Sequence, residues 1–165
     1  MNKRTVSLTV LCVLTACCAA HAVYYYGVLP ERVAAHFNAA GLADGWADKE
    51  TFMRIYLTAV ALCTALFLLL AVVVQKLPAA TINLPDKERL LSPQREGRTR
   101  DLLSCGFVWL GSATLLFLLD IFHQSFQVAL GAAGLSHPVL SIGLYMAFGV
   151  CGSIWLLVQL LKDSN

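Results

Sequence analysis

Long apolar runs alternate with polar segments along this chain, and four of the runs are long enough to cross a membrane. They cover about residues 6–26, 51–74, 102–122 and 139–161, and none has a charged residue in its middle. About 20 residues of helix match a hydrocarbon core of roughly 30 Å. The pattern predicts an all-α membrane protein, with residues 1–165 forming one domain of four transmembrane helices.

The polar stretch between the first two runs, residues 27–50, is predicted to be a short extracytoplasmic loop or hairpin. Residues 33–38 have extended character, and Phe37 and Trp46 are expected to cover the apolar side. Gly41 and the Asp44-Gly45 pair are turn formers. Asp48 precedes the second run at the position of a helix N-cap.

The start of the chain allows two interpretations. Lys3 and Arg4, a short apolar core and Cys17 resemble a bacterial lipoprotein signal with a lipidated cysteine, and residues 20–22 resemble an ordinary signal-peptidase site. Apolar character nevertheless continues past both points to the three tyrosines at residues 24–26. We therefore favour a retained transmembrane helix, with the following loop outside the cytoplasm under either interpretation.

Charge predicts the orientation in the membrane. Nine of the twelve Lys and Arg residues fall at the two termini and in residues 75–101, whereas Arg32, Lys49 and Arg54 lie on the opposite side. Cytoplasmic segments of membrane proteins are enriched in Lys and Arg. We expect a multi-pass protein of the bacterial cytoplasmic (inner) membrane, with both termini and residues 75–101 in the cytoplasm.

Composition narrows the classes of function. The chain is 58% hydrophobic and 13% charged, against about a quarter charged in soluble domains. Its six cysteines lie in or beside apolar runs without metal-ligand spacing, so no zinc site or disulfide framework is predicted. Nucleophile elbows, phosphate loops and zinc-protease motifs are absent from the sequence. We expect a non-enzymatic protein without a cofactor, whose first partner is the lipid bilayer.

Two motifs, each following one of the first two apolar runs, form the most specific pattern in the sequence. The first comprises Leu29, Pro30, Glu31, Arg32, Val33, His36, Phe37, Asn38, Gly41, Asp44, Gly45, Trp46 and Lys49. The second comprises Asn83, Leu84, Pro85, Asp86 and Lys87, followed by Leu91, Ser92, Pro93, Gln94 and Arg95. The two motifs resemble the signature of a bacterial membrane-protein family, domain of unknown function 1648 (DUF1648). Ala34 replaces a proline of the family pattern, and Arg89-Leu90 replace an aromatic pair.

The resemblance implies a four-helix membrane protein with an outside loop, and it implies no established activity. The module also occurs in SdpI-type proteins, which are linked to immunity against a secreted toxin and to membrane capture of a repressor. By this analogy we expect a role in sensing, signalling or immunity at the cell envelope.

Candidate binding residues of the outer loop are His36, Asn38, Asp44, Trp46 and Lys49. One interpretation is a recognition surface for an extracytoplasmic peptide or envelope protein, a lipid headgroup or an ion. The other is a self-contained loop, with Asp44 in a turn, Trp46 as an interfacial anchor and Lys49 near headgroup phosphates.

A second group lies at the outer end of the third run, where Asp120 and His123 stand three residues apart on one helix face. We hypothesise that both contact the outer loop, with His36 or Asn38 nearest, because a carboxylate near hydrocarbon needs donors. The alternative function is a small transporter or an ion- or metal-binding module using Asp120, His123 and His36.

The cytoplasmic loop carries the candidate motif residues Asn83, Pro85, Lys87 and Arg95. Its basic residues are suited to a cytoplasmic protein partner. The simpler account is topology and anionic headgroups, because acidic residues dilute the charge. We expect no nucleic-acid partner. Ser92 and Pro93 resemble a helix start that leads into the third run.

Overall fold

The computed structural model describes residues 3–162, and it has four helices long and apolar enough to cross a membrane. This confirms the four predicted spans. The elements in chain order are α1 (Lys3–Val28), β1 (Arg32–Phe37), β2 (Ala43–Asp48), α2 (Lys49–Lys76), a 3-10 turn (Ala79–Thr81), α3 (Lys87–Leu90), α4 (Glu96–Ala129) and α5 (Pro138–Lys162).

Helix α4 is the centre of the bundle, because it packs against α1, α2 and α5. The core between these helices is apolar and includes the buried side chains of Leu11, Tyr56, Val108 and Leu115. Gly111 lets α4 approach α2 closely, since a Cβ there would lie only 2.7 Å from the Cβ of Phe67. Helix α5 is peripheral, and only its Ser141 and Leu160 are buried.

Helix α4 extends well beyond the predicted third span at both ends. With 34 residues it is about 50 Å long at 1.5 Å per residue, which exceeds the hydrocarbon thickness of roughly 30 Å. It begins at Glu96, three residues after the predicted start at Pro93, and continues seven residues past Phe122. The additional turns carry polar side chains to the hairpin and to α5.

Strands β1 and β2 pair antiparallel and form a hairpin between α1 and α2. Asn38 and Leu42 flank its turn, where the Asn38 amide donates to the Leu42 carbonyl, and Gly41 has a φ of 75°. The predicted turn role of Asp44 and Gly45 is wrong, because both lie within β2. Gly45 is needed there for another reason: a Cβ would lie 2.8 Å from the Cβ of His36.

We expect the N-terminal segment to be retained in the mature protein. Leu11 is fully buried in the core, and Thr15 hydrogen-bonds Thr64 of α2 at 3.1 Å. Cleavage before Cys17 would remove both contacts. Intact mass spectrometry of the purified protein checks this expectation. A mass that lacks the first sixteen residues and carries acyl chains would establish the lipoprotein interpretation instead.

Candidate functional site

The inner face of the hairpin is fixed to the helical bundle. The Ser125 hydroxyl near the end of α4 donates a hydrogen bond to the Ala34 carbonyl of β1. The Leu135 amide in the α4–α5 loop donates to the Gly41 carbonyl of the turn at 2.9 Å. Val33 and Ala34 are fully buried. The hairpin is therefore anchored at both its strand and its turn.

The base of the hairpin is tied to both neighbouring helices through Lys49. Its ammonium lies 3.4 Å from the Leu29 carbonyl and 3.4 Å from the Glu31 carboxylate. It also lies 5.1 Å from the centroid of the Tyr26 ring, within cation–π range. The Lys49 side chain is only 16% exposed. Lys49 is thus a structural residue of the hairpin base.

Asp48 caps α2, as the sequence predicts. Its carboxylate accepts a hydrogen bond from the Thr51 amide at 2.7 Å. This bond to the helix N-terminus favours the charged form and lowers the pKa of Asp48 from its ordinary value. The capping bond is therefore retained throughout the neutral pH range and weakens only when acid protonates the carboxyl group.

Asn38 also has a structural role. Its side-chain oxygen accepts hydrogen bonds from the Ala40 amide at 2.9 Å and from the Leu42 amide at 3.1 Å. Asparagine side chains commonly close turns in this way. Of the five predicted loop residues, Asn38 and Lys49 therefore hold the hairpin together.

The other three predicted loop residues, His36, Asp44 and Trp46, form the outer face of the hairpin. The His36 Nδ1 atom contacts the Asp44 carboxylate across the two strands. The His36 side chain is 75% exposed, and Trp46 and Leu42 are also exposed. The hairpin thus presents an aromatic ring, an aliphatic side chain and a polar pair; we call His36, Leu42, Asp44 and Trp46 the outer hairpin face.

The predicted contacts of Asp120 with His36 or Asn38 are wrong. Its carboxylate accepts hydrogen bonds from Ser141 at 2.5 Å and Gln124 at 2.7 Å, and lies 3.3 Å from His137 Nε2. Gln124 also accepts a hydrogen bond from the His137 amide at 3.1 Å. The carboxylate finds its partners on α5 and on its own helix, so it links α4 to α5 rather than to the hairpin.

His123 points into a different cluster, between α4 and the first two helices. Its Nδ1 atom lies 3.3 Å from His21 Nε2 and 3.2 Å from the Tyr25 hydroxyl. His21 in turn lies 3.3 Å from the Tyr56 hydroxyl of α2, and the Gln127 amide donates to Tyr25 at 2.9 Å. The predicted contact of His123 with the hairpin residues His36 or Asn38 is therefore wrong as well.

The predicted metal or ion site of Asp120, His123 and His36 does not form. The three side chains have separate partners. Asp120 contacts His137 and Ser141. His123 contacts His21 and Tyr25, and His36 contacts Asp44. Within residues 3–162, no three His, Cys, Asp or Glu side chains come together in a group able to hold a metal ion. The structure does not favour the ion-binding alternative.

The basic segment between α2 and α4 is compact. Lys87 donates to the Ala80 carbonyl at 2.6 Å, and the Thr99 hydroxyl donates to the Leu90 carbonyl at 2.7 Å. Asn83 and Pro85 lie in the irregular stretch before α3, and Arg95 directly precedes α4. The residue that the sequence analysis missed is Arg100, which is 8% exposed and binds the end of α2.

Other bonded polar residues were also missed. They are His21, Tyr25, Tyr56, Gln124, Ser125, Gln127 and Ser141. The available signal was a polar side chain inside or beside an apolar run, which needs partners away from water.

Together these features define a four-helix membrane protein with a β-hairpin docked on one end of its bundle. Residues 13–59 match the family model described as "Domain of unknown function (DUF1648)". The match begins in α1, includes the whole hairpin and ends in α2, and it confirms the family resemblance over that part of the chain. No curated protein and no solved structure matches the chain.

Proposed function

We propose that this chain is a non-enzymatic protein of the bacterial cytoplasmic membrane that recognises an envelope component outside the cell through its outer hairpin face. The recognised component is a peptide or a protein segment, and the binding serves sensing, signalling or immunity. The observation that carries the proposal is the contrast between the two faces of the hairpin. One face is anchored to the bundle, whereas the other exposes His36, Asp44 and Trp46.

Anchoring supports recognition for an energetic reason. A surface that is already ordered loses little conformational entropy when it binds, so more of the contact energy appears as affinity. The bonds from Ser125 to Ala34 and from Leu135 to Gly41 provide this order. Exposed tryptophan is enriched among the residues that dominate protein interfaces. The outer hairpin face combines both properties.

The proposed orientation rests on charge. Lys and Arg are concentrated at the ends of the helices away from the hairpin. Six of these residues lie between the end of α2 and the first turns of α4. The hairpin and the adjoining first two turns of α2 contain only three Lys and Arg residues, Arg32, Lys49 and Arg54. This bias supports a hairpin outside and both termini in the cytoplasm.

The orientation is tested by reporter insertion. We expect alkaline phosphatase inserted at Ala40, in the exposed hairpin turn, to be active, because the enzyme folds only outside the cytoplasm. A fluorescent protein fused after Asn165 should fluoresce, because it matures in the cytoplasm. In the matched control the two reporters are exchanged. The fluorescent protein inserted at Ala40 and alkaline phosphatase fused after Asn165 should both give no signal. Activity of the same reporter at both positions would contradict the four-span topology.

Recognition is tested by photo-crosslinking in intact cells. A photoreactive amino acid at position 46 should give a discrete protein or peptide adduct, because this side chain faces outward from an ordered strand. Substituting His36 and Asp44 with alanine should abolish the adduct. Position 66 on α2, equally exposed but within an apolar span, is the matched control. The same products at both positions, or an adduct indifferent to the alanine substitutions, would refute recognition by this face.

A further inference from the structure

We propose that a cleft between α4 and α5 binds one membrane lipid, with an acyl chain inside the cleft and a primary ammonium headgroup, as in phosphatidylethanolamine, at Asp120. The cleft has a volume of about 440 Å³, within the range of about 300–1,000 Å³ typical of ligand sites. This inference is independent of the role proposed for the hairpin, since the outer hairpin face does not line the cleft.

The cleft is amphipathic along its length. Its body is apolar and is lined by Leu14, Trp109, Ala113, Phe117, Leu144 and Phe148. Asp120, His137 and Ser141 lie together at one end. The two hydroxyl groups within the body are already bonded inside the protein, because Ser112 donates to the Val108 carbonyl and Tyr145 pairs with Thr114 at 3.1 Å. The site therefore has one polar end and one hydrocarbon slot.

The length of the cleft corresponds to one leaflet of a bilayer. Trp109 and Asp120 are separated by eleven residues of α4, which is about 16 Å along a helix. Half of a hydrocarbon core of roughly 30 Å is about the same length. A lipid whose headgroup lies at Asp120 would thus place its chain along Trp109 without leaving its own leaflet.

Lipid can reach this cleft because α5 is sparsely covered by protein. Only Ser141 and Leu160 of α5 are buried, and exposed side chains such as Leu140, Leu144 and Phe148 border the opening. In a chain with four membrane-spanning helices, the medium at this opening is the bilayer. The occupant is therefore taken from the surrounding lipid rather than from water.

The charge at the polar end selects the headgroup. Asp120 accepts two short hydrogen bonds and lies 3.3 Å from His137, and its side chain is 36% exposed. A carboxylate has about four lone-pair positions, so Oδ1 retains room for a donor. A primary ammonium supplies both N–H groups and positive charge. A quaternary ammonium offers no N–H donor, and an anionic glycerol headgroup places its phosphate next to a carboxylate without a compensating cation.

The test uses Trp109 as the reporter. Trp46→Phe and Trp155→Phe leave Trp109 as the remaining tryptophan of three, and the protein is placed in vesicles of phosphatidylcholine with increasing brominated phosphatidylethanolamine. Quenching should exceed that by brominated phosphatidylcholine or phosphatidylglycerol. Asp120→Asn should reduce the relative binding constant for phosphatidylethanolamine about tenfold, because one hydrogen bond to a charged group corresponds to about that factor.

Two further variants complete the test: one fills the cleft, and the other adds the same side chain to a lipid-facing surface elsewhere. Ala113→Phe should abolish the preference, because the ring occupies the slot, whereas Ala61→Phe on the exposed surface of α2 should leave it unchanged. Native mass spectrometry of the unsubstituted protein should show one retained phosphatidylethanolamine, absent from Ala113→Phe. Quenching that is equal for all three headgroups, or unchanged by both Asp120→Asn and Ala113→Phe, would overturn the proposal.

Discussion

Replacing Arg100 with alanine should destabilise the protein more than any other change in the basic segment. The guanidinium is buried and donates to the Val74 carbonyl at 2.6 Å, the Leu77 carbonyl at 2.7 Å and the Glu96 carboxylate at 2.6 Å. Carbonyls at a helix end have no partner within the helix. Since hydrogen bonds to charged groups contribute about 1.5–3 kcal/mol each, we expect a loss of about 3 kcal/mol or more in the free energy of unfolding.

Thermal unfolding in detergent measures this loss, and two further variants serve as comparisons. Arg100→Lys keeps the charge but lacks the planar fork that reaches several acceptors at once, so its stability should lie between those of the alanine variant and the unsubstituted protein. Arg98→Ala removes an exposed arginine two residues away. Because exposed polar and charged pairs contribute about 1 kcal/mol at most, its loss should stay well below that of Arg100→Ala. Equal losses for Arg98→Ala and Arg100→Ala would show that Arg100 does not hold the end of α2.

The example of Arg100 shows what sequence reasoning could and could not find in this chain. The segment between α2 and α4 and its junctions with them contain six Lys and Arg residues, and net charge alone treats them alike. Only the packing of α4 beside the end of α2 makes one of them a buried cap. The distribution of charge therefore predicted the side of the membrane on which this segment lies. The structural role of Arg100 could be found only from its position beside the end of α2.

The fold was easier to predict from the sequence than the site, because the length of an apolar run directly indicates a membrane-spanning helix. A run of about 20 apolar residues has few alternatives to a spanning helix. The end of α4 was missed because its last turns contain His123, Gln124, Ser125 and Gln127, which resemble a loop. These residues remain helical since their side chains bond Tyr25, the Ala34 carbonyl and the α5 region. The C-terminal end of α4 was therefore determined by tertiary contacts with residues distant in the sequence.

Within the hairpin, sequence reasoning could identify the candidate residues but could not separate those that hold the hairpin together from those that are exposed. His36, Asn38, Asp44 and Trp46 all looked like surface candidates. The true turn at residues 38–42 makes Asn38 structural and moves Asp44 into a strand beside His36. The Asp-Gly signal pointed to a different turn, because glycine serves equally where strands approach closely and where a chain reverses.

Replacing Asp120 with alanine should loosen the beginning of α5 and leave strand β1, which Ser125 holds, unchanged. Ser141, Gln124 and His137 would each lose the carboxylate they contact. Since the Asp120 side chain is partly exposed, the loss should lie near the lower end of the about 1–3 kcal/mol that an unsatisfied buried polar group costs. Because the contacts with Ser141 and His137 join α4 to the beginning of α5, the loss should be centred on residues 130–145. Faster amide hydrogen exchange there, measured by mass spectrometry, is the expected result.

Ser125→Ala is the matched variant for this prediction, because it lies five residues further along α4 and removes the bond to the Ala34 carbonyl of β1. It should accelerate exchange in residues 33–37 and leave the start of α5 protected. The two substitutions together thus separate the two sides of α4. If Asp120→Ala instead accelerated exchange in residues 33–37 as strongly as Ser125→Ala does, the carboxylate would be supporting strand β1, and the assignment of Asp120 to α5 would be wrong.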